Sequence, residues 1–233
     1  MTKFIELKLQ GFNATITLLG GVIETFSKEG EDIFFPRQEI DGKQRGGCHV
    51  CVPYFGPGQP QHGYGRAIEW VVESQAVDKV VLQHQQLIGE YAGLAMELRY
   101  TLMPDGLLME LHLDNGSDRP LRVAPGFHPY FALKEGIREL QFNAKTYQIA
   151  QLAGTEFVTS ESATARAGMG RINYDIASDE LKAYALWSAH PEKYVCVEPT
   201  LAGNSFHNNP DVPDNEWLQP DEKRAYIVRI LPL

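Results

Sequence analysis

The 233-residue sequence has few cysteines, no long apolar run and no excess of positive charge. Its three cysteines, Cys48, Cys51 and Cys196, are an odd and small number for a secreted disulfide scaffold, so we expect a reducing, cytoplasmic location. The N-terminal segment alternates polar and apolar residues, which indicates neither a signal peptide nor a membrane span. A formal net charge of −9 argues against nucleic-acid binding, which needs clustered Lys and Arg.

Helical periodicity is also scarce. Only Ser178 to Trp187 suggests a helix, with Ser178 as its N-cap. Alternating or β-rich runs are frequent instead and are separated by short turns rich in Gly, Pro, Asp and Asn. They predict strands at Phe4 to Leu9, Ala14 to Leu19, Val80 to Leu87, Ala95 to Leu102, Leu107 to Leu113 and Ala225 to Leu231.

The strand pattern favours an all-β, antiparallel sandwich or barrel. The clearest hairpin spans Tyr100 to Leu113, where Met103 to Gly106 forms the turn between two alternating runs. Hydrophobic residues at 43% and charged residues at 22% are ordinary globular values, and they exclude disorder and coiled coil. No linker or repeat interrupts the chain, so we expect one domain over residues 1–233.

One segment, Gln44 to Arg66, stands apart, because it carries six Gly, three Pro, two His and two Arg. Apart from a short strand near Cys48, it must be mostly loop, and long ordered loops are often functional. The spacing of Cys48 and Cys51 allows a zinc or redox site. The alternative is that Cys48, Val50 and Val52 share one buried face of a strand.

Three residues of this segment are candidates for a binding site. His62 lies in Gln61-His62-Gly63-Tyr64-Gly65, where the glycines let the backbone approach a ligand, and Arg45 and Arg66 bracket the segment. Taken alone, each of the three is more often an exposed surface residue.

Two further residues could carry acid–base chemistry. His128 lies among aromatic residues and prolines, and it is either a core histidine with a partner or a site residue. Glu198 lies near the end of a predicted strand, where alternation places Tyr194, Cys196 and Glu198 on one face. An exposed glutamate at a strand end is the alternative. Histidine and glutamate together can supply a general acid and a general base.

The sequence resembles the aldose 1-epimerase superfamily, and in its motifs the hexose-6-phosphate 1-epimerase group. The motifs, in chain order, are Arg45-Gly46-Gly47, Val52-Pro53-x-Phe55-Gly56-Pro57, Gln61-His62-Gly63-x-x-Arg66, His128-Pro129-Tyr130-Phe131 and Cys196-Val197-Glu198-Pro199. The resemblance implies an antiparallel β-supersandwich with its site in a cleft on one sheet face. It implies no metal and no cofactor, a small-molecule sugar or sugar phosphate as ligand, and a monomer or weak homodimer.

The resemblance also implies residue roles in anomer exchange. Glu198 would be the base and His128 the acid, while His62 would orient the region of the ring oxygen. Arg45 and Arg66 would hold a 6-phosphate. The group also has a hydroxyl-binding aspartate, for which Asp175 is the candidate, although the stretch between Phe131 and Tyr194 is shorter here than is usual.

Three hypotheses remain open from the sequence alone. The first is a 1-epimerase acting on a hexose 6-phosphate or an unphosphorylated aldose. The second is a carbohydrate-binding module without catalysis, which the shortened central region would suit. In the third, His62, His128 and Glu198 are buried polar residues with a purely structural role.

Overall fold

Short strands joined by tight turns make up most of the chain in the computed structural model, which describes residues 4–207 and 210–233. Two 3-10 helices, Ile149–Gly154 and Asp214–Glu216, are the helical segments of this part. The strands are Phe4–Leu9 (β1), Phe12–Thr17 (β2), Val22–Lys28 (β3), Glu31–Phe34 (β4), Gln38–Ile40 (β5), Lys43–Arg45 (β6), Cys48–Cys51 (β7), Val71–Gln75 (β8), Lys79–Gln85 (β9), Leu94–Met103 (β10), Gly106–Asn115 (β11), Leu121–Arg122 (β12), Gly126–Ala132 (β13), Glu139–Phe142 (β14), Lys145–Gln148 (β15), Glu156–Thr159 (β16), Thr164–Met169 (β17), Ile172–Ala177 (β18), Ala183–Trp187 (β19), Tyr194–Thr200 (β20), Trp217–Leu218 (β21) and Lys223–Pro232 (β22).

Two nine-stranded antiparallel sheets form the architecture. In the first sheet the order is β1-β2-β3-β4-β13-β20-β19-β16, and β7 pairs with both β13 and β3. In the second sheet the order is β15-β14-β17-β18-β22-β11-β10-β9-β8. Two small ribbons, β5-β6 and β12-β21, lie outside the sheets. The expected all-β, antiparallel fold class is confirmed.

The hydrophobic core lies between the two sheets, because alternate residues of each strand face inward. Phe127 and Phe131 of β13 are fully buried there, and the Phe131 ring lies 4.8 Å from that of Tyr174 in the second sheet. Truncating such a phenylalanine to alanine costs about 3–5 kcal/mol. His128 follows Phe127 directly, so alternation turns its side chain away from this core, toward the outer face of the first sheet.

The predicted hairpin is confirmed. Met103 pairs with Gly106 across a two-residue turn, and the pairing of β10 with β11 continues to Leu94 and Asn115. A side chain at Gly106 would lie 2.1 Å from the carbonyl oxygen of Ile230, so the neighbouring strand requires glycine here. Turn chemistry and alternation therefore agree on this part of the fold.

The prediction of a helix from Ser178 to Trp187 was wrong. Ser178 does use its side chain as a cap, since its Oγ accepts a hydrogen bond from the backbone N–H of Leu181 at 3.0 Å. The chain makes only that one turn and then enters strand β19, which pairs with β20 on one side and β16 on the other. Pairing on both sides, together with β-favouring Tyr184 and Trp187, outweighs the local cap.

The cysteine-containing strand β7 has the predicted alternation. Cys48 and Val50 belong to the core, and the Sγ of Cys48 lies 3.8 Å from the Sδ of Met109. Cys51 is three residues further along and faces the other side of the sheet, so the two thiols do not share a face. In residues 4–207 and 210–233, no helix has both the length and the apolar character needed to cross a membrane.

Candidate active site

A row of polar residues crosses the outer face of the first sheet. His128 of β13 pairs directly with His49 of β7. On its other side, the register of β13 with β20 places His128 opposite Glu198, and Glu198 pairs with Ala185 of β19. The side chains of His49, His128 and Glu198 therefore converge from three adjacent strands. All three residues are buried, with 8%, 5% and 2% of their surface exposed.

The central contact of this row joins His128 and Glu198. The Nε2 of His128 lies 3.2 Å from the Oε2 of Glu198. Burial raises the pKa of the Glu198 carboxyl well above its usual value. Burial, followed by the neighbouring His49, His62 and Arg66, lowers the pKa of His128. The two shifts bring a weak acid and a weak base toward similar proton affinity, which suits proton transfer in both directions.

His62 reaches the same cluster from the loop after β7. Its ring lies 5.3 Å from that of His128 and 5.9 Å from that of His49. The backbone N–H of Gly56 donates to the Nδ1 of His62 at 3.2 Å, so a neutral ring carries its proton on Nε2. Burial, with Arg66 nearby, lowers the pKa of His62 to about 4. His62 is therefore a neutral N–H donor at physiological pH.

The backbone around His62 is held in an unusual conformation. His62 itself has a φ of 61°, in the left-handed region that side chains other than glycine rarely adopt. At Gly63 the φ is 71°, and a Cβ there would lie 2.2 Å from the carbonyl oxygen of Val52. The glycine in the Gln61-His62-Gly63 motif is thus required for the close approach that turns His62 toward the sheet.

The polar row forms the floor of a pocket of about 750 Å³. Phe55, Tyr130 and Trp187 supply aromatic walls, with the Tyr130 ring stacked 4.7 Å from that of His128. The remaining lining includes four cationic side chains, those of Arg37, Lys43, Arg45 and Arg66. A pocket with aromatic walls, a buried acid–base pair and a cationic rim can hold a small polar molecule that carries negative charge.

Arg45 is placed by the two glycines that follow it. At Gly46 and Gly47 the φ values are 100° and 68°, and a Cβ at either position would lie within 2.6 Å of a backbone carbonyl oxygen. The Arg45 guanidinium lies 5.0 Å from the Trp187 ring, a cation–π contact. Within the described part of the chain, neither Arg45 nor Arg66 forms an ion pair with a carboxylate.

The structure brings together five of the six candidate residues and separates the sixth. Asp175 lies on β18 in the second sheet, between the core residues Tyr174 and Ile176, so it faces the outer side of that sheet. Both of its carboxylate oxygens accept hydrogen bonds from Arg166, at 2.8 and 3.1 Å. The expectation that Asp175 binds a sugar hydroxyl is thereby corrected: it is committed to an ion pair two layers away from the pocket.

Several residues of the pocket were not among the candidates from the sequence, and His49, Tyr130 and Trp187 are three of them. His49 could have been found, because Cys48 and Val50 were assigned to the core face and the residue between them must point outward. Tyr130 follows His128 by two residues and shares its face for the same reason. Trp187 was assigned to a helix, so its alternation with Leu186 was not considered.

Comparison with known proteins identifies the family. The family model for aldose 1-epimerase matches residues 3–195. The chain belongs to the aldose 1-epimerase family. The match includes Arg45, His62 and His128 and ends before Glu198, so the role of Glu198 depends on the geometry of the pocket. This membership supports a sugar epimerase, an isomerase whose ligand is a small-molecule sugar.

Solved structures share the fold of this aldose 1-epimerase family member. A proposed aldose 1-epimerase from Escherichia coli K12 gives a TM-score of 0.82 at 16% identity, over 100% of this chain and 99% of that one. A galactose mutarotase related enzyme from Lactobacillus acidophilus gives 0.81 at 14% identity, over 99% and 97%. A galactose mutarotase-like protein from Lactobacillus casei gives 0.81 at 13% identity, over 99% and 100%. At such identities the likeness shows the fold alone. Comparison with curated proteins finds no match.

Proposed function

We propose that the protein interconverts the α and β anomers of a hexose 6-phosphate, with His128 and Glu198 as the acid–base pair. The observation that carries this proposal is the contact of 3.2 Å between the two side chains on the floor of the pocket. Anomer exchange needs a proton removed from the O1 hydroxyl and a proton added to the ring oxygen. Both oxygens are bonded to C1, so the two groups that serve them must lie close together.

The reaction begins with Glu198 ionised and His128 protonated. Glu198, as the carboxylate, takes the proton of the O1 hydroxyl while His128 gives a proton to the ring oxygen. The bond between C1 and the ring oxygen breaks and leaves an open-chain aldehyde. Rotation about the C1–C2 bond presents the other carbonyl face, and ring closure reverses both proton transfers. The chemistry proposed here uses these side chains without a metal or cofactor.

Neighbouring residues support the pair in this scheme. The Nε2–H of His62 is available to donate a hydrogen bond near the ring oxygen, because its Nδ1 is engaged by Gly56. The aromatic walls formed by Phe55, Tyr130 and Trp187 exclude water from the open-chain intermediate. Each acid or base group of this kind contributes about 10²- to 10⁴-fold to a rate.

The cationic rim supports a phosphorylated substrate. The chain as a whole carries a net charge of −9, yet Arg37, Lys43, Arg45 and Arg66 line this one pocket. Because Arg45 and Arg66 have no carboxylate partner among the described residues, their guanidinium groups can bind a phosphate through charge-assisted hydrogen bonds. A glucose-6-phosphate 1-epimerase activity fits this arrangement better than action on an uncharged aldose.

Exchange spectroscopy by NMR tests this function directly. The α and β resonances of glucose 6-phosphate and of glucose are followed with and without catalytic amounts of protein. The proposal predicts faster exchange for both sugars and the higher kcat/KM for the phosphate. Faster exchange of glucose alone would indicate an unphosphorylated substrate. Binding of either sugar without faster exchange would establish a carbohydrate-binding module instead.

A further inference from the structure

A third side chain lies beside the acid–base pair and has no part in the proposed reaction. Cys196 precedes Glu198 by two residues on β20, so both face the pocket side of the sheet, beside His128. One ligand atom from each residue, a ring nitrogen, a thiol sulfur and a carboxylate oxygen, lies within 4.8 Å of the other two. All three residues are buried.

The spacing of these atoms fits a single tetrahedral metal ion. In such a site, zinc binds nitrogen and oxygen at about 2.0–2.2 Å and sulfur at about 2.3 Å, which places neighbouring ligand atoms roughly 3.3–3.6 Å apart. The Nε2 of His128 and the Oε2 of Glu198 are 3.2 Å apart already. A movement of about 1 Å by the Cys196 side chain would complete a three-ligand set.

Two ring nitrogens beside this cluster are buried without a partner among the described residues. The Nδ1 of His128 and the Nε2 of His49 are buried and have no hydrogen-bond partner in the part of the chain that the structure describes. The two rings lie 4.7 Å apart. Buried polar atoms in proteins normally have a partner, so a water or a polar ligand group fits beside the Nδ1 of His128. The Nε2 of the same ring stays directed at Glu198.

We propose that His128, Cys196 and Glu198 form a binding site for Zn²⁺, and that the bound ion inhibits anomer exchange by occupying the acid–base pair. A donor set of imidazole, thiolate and carboxylate suits zinc, whereas Mg²⁺ and Ca²⁺ prefer oxygen ligands alone. His128 and Glu198 line the pocket, so an ion can reach them from it, and Cys196 lies buried beside them. The inhibition rests on the function proposed above, but metal binding does not.

Titration calorimetry of the full chain, after treatment with a chelator, tests the site. We expect one Zn²⁺ per chain. Cys196→Ser should bind it at least about 100-fold more weakly, because even the loss of a group that only hydrogen-bonds to a metal ligand can lower metal affinity by up to about 100-fold. Cys48→Ala is the matched control, because Cys48 faces the core, and it leaves the affinity unchanged. Absence of stoichiometric binding, or equal affinity in Cys196→Ser, would overturn the site.

Cobalt gives a readout that does not depend on the folding of one variant. Co²⁺ added to the wild-type protein should produce a thiolate-to-metal charge-transfer absorption that persists in Cys48→Ala and is lost in Cys196→Ser and Cys196→Ala. Circular dichroism of each variant reports whether it is folded. Absorption that survives in a folded Cys196 variant would place the thiolate elsewhere and contradict the proposal.

The inhibition has its own measurement. One equivalent of Zn²⁺ should abolish anomer exchange in the wild type, while Cys196→Ser, compared with its own metal-free rate, should resist the same concentration. Zinc bound through Cys196 without loss of rate would overturn the inhibition. If the metal-free protein shows no exchange at all, the proposed function fails, and calorimetry and cobalt absorption still decide the metal site.

Discussion

The outer faces of the two sheets carry concavities of similar size, about 750 Å³ on the first sheet and about 860 Å³ on the second. They differ in how their charged groups are paired. On the second sheet Glu97 pairs with Arg99, and Asp114 lies 2.9 Å from Lys223. On the first sheet, among the described residues, Arg45 and Arg66 form no ion pair with a carboxylate. Volume alone therefore does not identify the functional face.

The comparison shows what distinguishes a reactive pocket from a polar surface. Charges that neutralise each other near solvent contribute little to stability. Buried groups that lack full compensation have shifted pKa values, as Glu198 and His128 do in opposite directions. Variants of single residues on the first face, each compared with a matched variant elsewhere, test this difference.

The largest difference is expected from the acid–base pair. Glu198→Gln or His128→Gln should lower the rate of anomer exchange by about 10²- to 10⁴-fold, because each removes one proton-transfer group. Glu97→Gln, on the second sheet, should leave the rate unchanged. NMR exchange rates at equal protein concentration provide the measurement. A similar loss of rate in Glu97→Gln would contradict the assignment of the reaction to the first sheet.

The second prediction concerns stability in acid. The pKa of His62 is lowered from 6.5 to about 4, so the unfolded chain binds a proton at higher pH than the folded one. The free energy of unfolding should therefore fall as the pH drops from 6.5 to about 4, with a contribution from His62 of at most about 3 kcal/mol.

Urea titrations across this pH range measure the effect. His62→Gln should lose that part of the pH dependence, whereas His84→Gln, on the second sheet, should retain it. Identical slopes in wild type and His62→Gln would show that the folded protein does not hold His62 neutral.

A third difference separates phosphorylated from free sugar. Arg45→Gln or Arg66→Gln should raise KM for glucose 6-phosphate by about 10- to 100-fold, because a hydrogen bond to a charged group is lost. KM for glucose should not change, and Arg99→Gln on the second sheet should affect neither sugar. Steady-state kinetics with both sugars gives the answer. An equal rise for glucose would contradict the phosphate role.

The smallest predicted effect compares two buried glutamates. The folded-state pKa of Glu198 lies above 4.5, so the protein loses stability as the pH rises beyond 4.5. Glu198→Gln should therefore be more stable at neutral pH, because its uncharged amide avoids the cost of burying a carboxylate.

Glu216 is the matched control, because it is equally buried but accepts two hydrogen bonds from Arg122, at 2.9 and 2.7 Å. Glu216→Gln should lower the free energy of unfolding by about 1–3 kcal/mol, since Arg122 loses its charged partner. Denaturant titrations at pH 7.5 compare the two. Destabilisation by Glu198→Gln would mean that its carboxylate is well compensated in the folded state.

Alternation and turn chemistry predicted the parts of the fold in which local pattern and tertiary pairing agree. The first strand, Phe4–Leu9, has the predicted bounds, and the hairpin turn after Met103 is in place. The strands Lys145–Gln148 and Glu156–Thr159 were missed, because they lie at sheet edges and are mostly exposed, which removes the apolar alternation.

The candidate residues that follow sequence motifs line one pocket, and their roles stay a prediction. Arg45, His62, Arg66, His128 and Glu198 meet in one pocket as expected. The addition of His49 depends on the register between β7 and β13, which no local pattern specifies. Asp175 was chosen by its place in the chain, and only the structure shows that Arg166 engages it. Cross-strand register and ion pairing are thus the features that could not be predicted from the sequence.

We have proposed that the pocket on the first sheet catalyses anomer exchange through His128 and Glu198. Magnetisation transfer between the α and β resonances of glucose 6-phosphate, recorded with wild-type protein and with Glu198→Gln, tests it most directly. We predict rapid transfer with the wild type and transfer near the protein-free rate with the variant, whose fold is verified by circular dichroism. Equal transfer in both samples, or none with the wild type, would contradict the claim.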